Sequence, residues 1–201
     1  MMNRRDLLLM GASAMGCVLI GTPTLRAMAG ESPSATASRS IFGDAQSRMI
    51  SALAEMIIPT TDTPGAIVAG TPAFIEMMAT DWYTDTERKI FFEGLAGLDA
   101  FCRASFGKDF LAASEEQRVA ALTDAEKQAA SYVSPLPGGF LGGMSKEIDE
   151  NTPFFAKIKE LTVIGYYSSE VGAKQEMAYN PMPMRHEGDF DFAKIGRYWS
   201  Y

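Results

Sequence analysis

A chain of 201 residues, 47% hydrophobic and 21% charged, is long enough to bury a proper core and too short for two ordinary domains. Its 18 basic residues face 25 acidic ones, a net charge of −7, and a surface of that sign repels nucleic acid and anionic lipid, which are set aside as partners. Two cysteines exclude a disulfide framework.

The chain opens on Asn3-Arg4-Arg5-Asp6-Leu7-Leu8, runs apolar from Leu7 to Ile20, and reaches Ala27-Met28-Ala29. Charged start, hydrophobic stretch and small-x-small junction read as an export signal over residues 1–29, with Arg4 and Arg5 as the twin-arginine pair and Ala27 and Ala29 at the cleavage site. An uncleaved anchor is the weaker reading, because Gly11, Ser13 and Gly16 interrupt a run already short of the ~20 apolar residues a span needs. Cys17, following Ala14-Met15-Gly16, is a loose lipoprotein-like junction and a second alternative. The layout favours cleavage after Ala29, and with it a periplasmic destination. The basic and acidic totals then fall to 15 and 24, a net charge of −9 on 172 residues. Cys102 alone survives, either buried or paired with another chain, and its place beside Phe101 in a helical pattern favours burial.

Residues 30–41 are small and polar, a flexible lead. An all-α domain of five to six helices is expected over 42–176. Met49, Ile50, Leu53, Met56 and Ile57 make one apolar helical face, which Pro59 stops. Pro59, Asp62, Thr63, Pro64 and Gly65 then form a rigid turn, in which Asp62 and Thr63 are expected to bond backbone N–H groups. Thr71-Pro72 predicts a helix through Trp82, with Thr71 as its cap. Thr84-x-x-Glu87 is a capping box that opens the next helix, burying Ile90, Phe91, Leu95, Leu98 and Phe101, with Gly94 and Gly97 admitting a neighbouring helix. Ser114-x-x-Gln117 and Thr123-x-x-Glu126 predict two short charged helices. Residues 134–144 hold two prolines and four glycines and read as a loop. Thr152-Pro153 starts the last strong helix, whose stripe is Phe154, Ile158, Leu161 and Gly165. No long period-two alternation occurs, so no sheet is expected.

Residues 177–201 differ in kind. Pro181, Pro183, Gly188 and Gly196 are too many breakers for a helix, and six aromatics accompany them: Tyr179, Phe190, Phe192, Tyr198, Trp199 and Tyr201. This extended tail either wraps its own domain or lies across another protein, and a tail doing both fits equally well. These six, with Tyr166 and Tyr167 on the last helix, are the candidate partner contacts.

Catalytic, cofactor-binding and metal-binding constellations are not found. His186 stands in a breaker-rich segment with no partner at triad or metal spacing, and no cysteine cluster, haem-attachment motif or dinucleotide-binding glycine turn occurs. Gly138-Gly139 and Gly142-Gly143 lack the basic residue of a phosphate loop, and Asp81 and Asp85 about Trp82-Tyr83 are commonplace helix-end acids. The rival classes are a stand-alone periplasmic enzyme built around Asp62, Glu170 and His186, and a free-standing binding module.

Two stretches, Leu53–Ala66 (LAEMIIPTTDTPGA) and Leu161–Ala173 (LTVIGYYSSEVGA) running on to Tyr179-Asn-Pro-Met-Pro183, carry a resemblance. Over roughly residues 45–190 the chain resembles the gluconate 2-dehydrogenase subunit 3 family, the small subunits of membrane-associated FAD-dependent sugar and polyol dehydrogenases. The resemblance implies a non-catalytic subunit with no cofactor of its own. FAD would belong to a large partner of the glucose–methanol–choline type, and haem c to a multihaem cytochrome subunit where one joins. It also implies that the twin-arginine signal here carries the flavoprotein across the membrane as a hitch-hiker, and that this chain helps it mature. No family residue role in catalysis carries over.

Overall fold

A computed structural model describes residues 40–135, 149–180, 182, 184 and 191–200, all within one compact unit, Ser38–Tyr201. The export signal, Cys17, the glycine pairs of 138–143, His186, Phe190 and Tyr201 lie outside the described residues.

Among the described residues five helices make the domain: α1 (Asp44–Ile57), α2 (Thr71–Asp81), α3 (Asp85–Phe106), α4 (Glu115–Ala130) and α5 (Phe154–Tyr167). A 3₁₀ turn, Phe110–Ala112, precedes α4, and a π turn, Gly172–Glu176, follows α5. The all-α reading holds. α5 is the central element and packs on each of the other four. The stripe of Phe154, Ile158, Leu161 and Gly165 is buried, as are Met49, Ile50 and Leu53 of α1 and Phe91, Leu95 and Leu98 of α3. Cys102 is buried in the same core, where burial pushes its thiol up and keeps it protonated.

Helix α3 starts on its capping box: Thr84 Oγ1 accepts from Glu87 N–H at 3.3 Å, and Glu87 Oε2 accepts from Thr84 N–H at 3.0 Å. The other Glu87 oxygen accepts from Lys157 of α5 at 2.8 Å, a buried ion pair whose ammonium also lies 5.1 Å from the Tyr83 ring centre. Close approach of α5 to α3 is set by Gly94, where a Cβ would overlap the Phe154 side chain. Gly97 differs from expectation, since it faces open space along a groove of about 420 Å³ between α3 and α4.

Three further expectations are corrected. Thr123 caps nothing: one continuous helix, α4, runs through it, because the residues around it are strong helix formers and Ser114 already supplies the start. Thr71 is the first residue of α2 rather than its cap; Gly70 takes the cap position in the left-handed conformation, and the Thr71 hydroxyl is buried without a partner. Among its described residues the tail holds a helical turn, α6 (Phe192–Ile195), because the Asp191 carboxylate accepts from Ala193 N–H at 3.0 Å and starts it despite the nearby breakers. A two-residue parallel pairing, β1 (Ala178–Tyr179) with β2 (Trp199–Ser200), closes the tail on the domain, too short to leave a period-two signature.

Candidate functional site

The turn after α1 is organised by a residue that sequence reasoning did not single out. Glu55, on the last turn of α1, accepts from Thr60 N–H at 3.0 Å and Thr60 Oγ1 at 2.7 Å through one oxygen, and from Ile67 N–H at 2.9 Å through the other. Thr60 Oγ1 in turn accepts from Gly65 N–H at 3.0 Å. Burial pushes the Glu55 carboxyl up, but the bonds from Ile67 and Thr60 outweigh it and hold the group below its ordinary range. Gly65 is required here, since a Cβ would collide with Glu55 and stand 2.6 Å from Thr60 N.

Asp62 therefore does not hold the turn's backbone. Among the described residues its carboxylate accepts only from the neighbouring Thr61 hydroxyl, at 3.0 Å, and Thr63 Oγ1 donates across the fold to Glu176 at 2.6 Å. The reason is reach: a glutamate one helical turn back spans to both ends of the loop, whereas Asp62 stands at its tip. The signal was present as Glu55 placed five residues before a threonine in a proline-bracketed turn.

From the other side, Tyr166 of α5 donates its hydroxyl to the Pro64 carbonyl at 2.7 Å. Tyr166 is 1% exposed, so its assignment as a partner contact is corrected: the ring fastens the turn to α5. Tyr167, the next residue, points out instead. Ile57, Ile58, Pro59, Thr61, Asp62 and Thr63 from the turn face Tyr166, Tyr167, Glu176, Gly196 and Arg197 across a cleft of about 370 Å³. Of the rival enzyme's residues, Asp62 lines this cleft, Glu170 pairs with Lys174 at 2.7 Å outside it, and His186 is not among the described residues. Among the described residues no group of three or more His, Cys, Asp or Glu side chains is placed to hold a metal.

The structure thus joins the two stretches that stood out in sequence. A family comparison agrees: the sequence model for gluconate 2-dehydrogenase subunit 3 matches residues 44–184, from the start of α1 past β1. The chain belongs to the gluconate 2-dehydrogenase subunit 3 family. No curated protein and no solved structure matches it. The turn, the cleft floor and α5 all lie within the family match, while residues 191–200 lie beyond it.

Around this site the family member leaves much apolar surface uncovered. Val163, Ile164 and Tyr167, at i, i+1 and i+4 on α5, are exposed, so the last two turns of the central helix present apolar side chains to solvent as well as to the core. Of the tail candidates, Tyr179, Phe192, Tyr198 and Trp199 are exposed, Tyr198 at 76%, and Phe192 and Tyr198 rest on each other at 5.4 Å rather than on the core. Trp82, after α2, is 73% exposed. The exposed face of α5 had a sequence signal that was not used: Leu161–Tyr167 carries no charged side chain on any face, where a helix covered on one side would place charges on the other.

Proposed function

We propose that this chain is the non-catalytic small subunit of a periplasmic, FAD-dependent dehydrogenase of gluconate or a related sugar or polyol. Its role is to mature the flavoprotein subunit and carry it through the twin-arginine translocase. Membership of the subunit family supports the first half of this reading. The observation that carries it furthest is the exposure of Val163, Ile164 and Tyr167 on α5 and of Tyr179, Phe192, Tyr198 and Trp199 in the tail, side chains of the kind found at the centres of protein interfaces. The Arg4-Arg5 signal on a chain with no cofactor motif supports the second half, since that route takes folded cargo and the cargo here would be the partner.

The test is affinity capture of the full chain from solubilised membranes, with flavin absorbance read on the captured material. A stoichiometric flavoprotein is the expected result; capture of this chain alone overturns the reading. Arg4→Lys with Arg5→Lys should strand both proteins in the cytoplasm. A partner still exported while this chain stays behind would remove the hitch-hiker role and leave co-assembly.

A further inference from the structure

The end of the chain is seated on the cleft like a bound peptide. Ala178 N–H donates to the Tyr198 carbonyl at 2.8 Å and Asn180 N–H to the Ser200 carbonyl at 2.9 Å, while the Arg197 guanidinium donates to the Gln175 carbonyl at 2.7 Å. Gly196 and Arg197 so become one wall of the cleft whose other walls carry Asp62, Tyr167 and Glu176. Among the described lining residues Asp62 and Glu176 are the anions and Arg197 is the single cation. Arg197 forms no ion pair with either anion, its guanidinium being bonded to the Gln175 carbonyl. Asp62 and Arg197 are both exposed, so the charges face one another across a solvated cleft whose lining favours a cation by sign.

Among the described residues the ties between 191–200 and the domain include a two-residue strand pairing and the Arg197 guanidinium bond, and Ser200 is buried there, while Phe192, Tyr198 and Trp199 stay exposed. Elements held by few buried contacts open first in a native protein. The cleft floor lies within the family match and the segment covering it lies beyond.

We propose that residues 196–200 are an internal stand-in, and that the cleft is a docking groove for an extended basic segment of the partner subunit. On this proposal, which rests on the chain being a subunit, the partner's segment displaces the tail. It adds as a strand to the Ala178–Asn180 edge and places an arginine or lysine where Arg197 sits, the β-augmentation mode of recognition with a charge for register. The displaced aromatics are then free to lie across the partner's surface.

Amide hydrogen exchange of the full chain, read at Ala178 and Asn180, tests this without the partner. Arg197→Glu sets a third anion in the cleft and should speed exchange at both amides by about tenfold or more, while amides of α1 to α5 keep wild-type rates. Arg197→Lys should stay near wild type. The synthetic peptide Gly-Arg-Tyr-Trp-Ser, added at millimolar concentration to the Arg197→Glu chain, should restore protection, and the same peptide with Glu for Arg should not. Unchanged exchange in Arg197→Glu, or fast exchange that the peptide leaves unaltered, overturns the proposal. Restoration by the peptide in a chain that captures no flavoprotein would keep the groove and remove only the subunit reading.

Discussion

The Tyr166 hydroxyl and the Pro64 carbonyl, 102 residues apart in sequence, meet at 2.7 Å and tie α5 to the turn after α1. Tyr166 is 1% exposed, at the floor of the cleft, and its hydroxyl finds its partner within the protein. Tyr166→Phe keeps the ring and removes the bond, leaving the Pro64 acceptor poorly satisfied, and should lower stability by about 1–2 kcal/mol. Urea unfolding with an unchanged m-value checks it; a midpoint equal to wild type would mean that the turn docks without this bond.

Glu55 and Asp62 make opposite predictions from the same turn. Glu55→Ala removes the acceptor of three bonds and should cost about 1–3 kcal/mol, whereas Asp62→Ala, at the exposed tip, should stay within about 0.5 kcal/mol. The pH dependence follows from the direction of the Glu55 shift. Its folded-state pKa lies below the ordinary value of 4.5, so its stabilisation is complete above that value and is lost as the pH falls through the depressed one. The stability difference between wild type and Glu55→Gln should therefore be constant at neutral pH and shrink on acidification below 4.5. A difference that grows on acidification would contradict the hydrogen-bonded carboxylate.

How much of this was legible in sequence depends on range. The helices were readable because periodicity, capping boxes and breakers act locally: Thr84-Glu87 and Ser114-Gln117 appear in the structure as bonded boxes, Met49, Ile50 and Leu53 of the α1 face are buried with Met56 and Ile57 partly so, and Phe154, Ile158, Leu161 and Gly165 of α5 are buried. Thr123 failed because a capping box is a local pattern that a continuous helix can contain without using. The turn was located but assigned to Asp62, since nothing local says that Glu55 curls forward over twelve residues to Ile67. Tyr166 and Tyr167, adjacent and chemically identical, part company only when the fold sends one to the core and the other to the cleft rim. Pairing of 178–179 with 199–200 has no local signature at all, because each strand is two residues long.

Glu87 has two functions, of which only the capping one shows in sequence. Its second oxygen holds Lys157, and both side chains are almost wholly buried. Lys157→Met strands the carboxylate and Glu87→Gln strands the ammonium, so each alone should cost about 3–5 kcal/mol. The double variant removes both charges, keeps a polar group to accept from Thr84 N–H, and should recover most of that loss. Melting temperatures of the four proteins make the cycle. Additive losses would show that the two charges do not depend on each other.

Two glycines three residues apart on α3 should respond to alanine with opposite signs. At Gly94 the added methyl would overlap Phe154, whose ring is also packed edge-on against Phe91 at 5.2 Å and has little room to retreat. Overpacking of that kind costs typically ~1–3 kcal/mol, more than the helix propensity gained. At Gly97 nothing lies within 4 Å of the new methyl, so Gly97→Ala keeps the propensity gain of about 1 kcal/mol and should stabilise the chain. Thermal unfolding of the two single variants reads both signs. Because Gly97 lines the open groove between α3 and α4, its alanine variant also asks whether that groove is in use: a variant more stable by itself yet poorer in flavoprotein capture would mark the groove as a second contact, while unimpaired capture confines the interface to the cleft, the exposed Val163, Ile164 and Tyr167 of α5, and the tail.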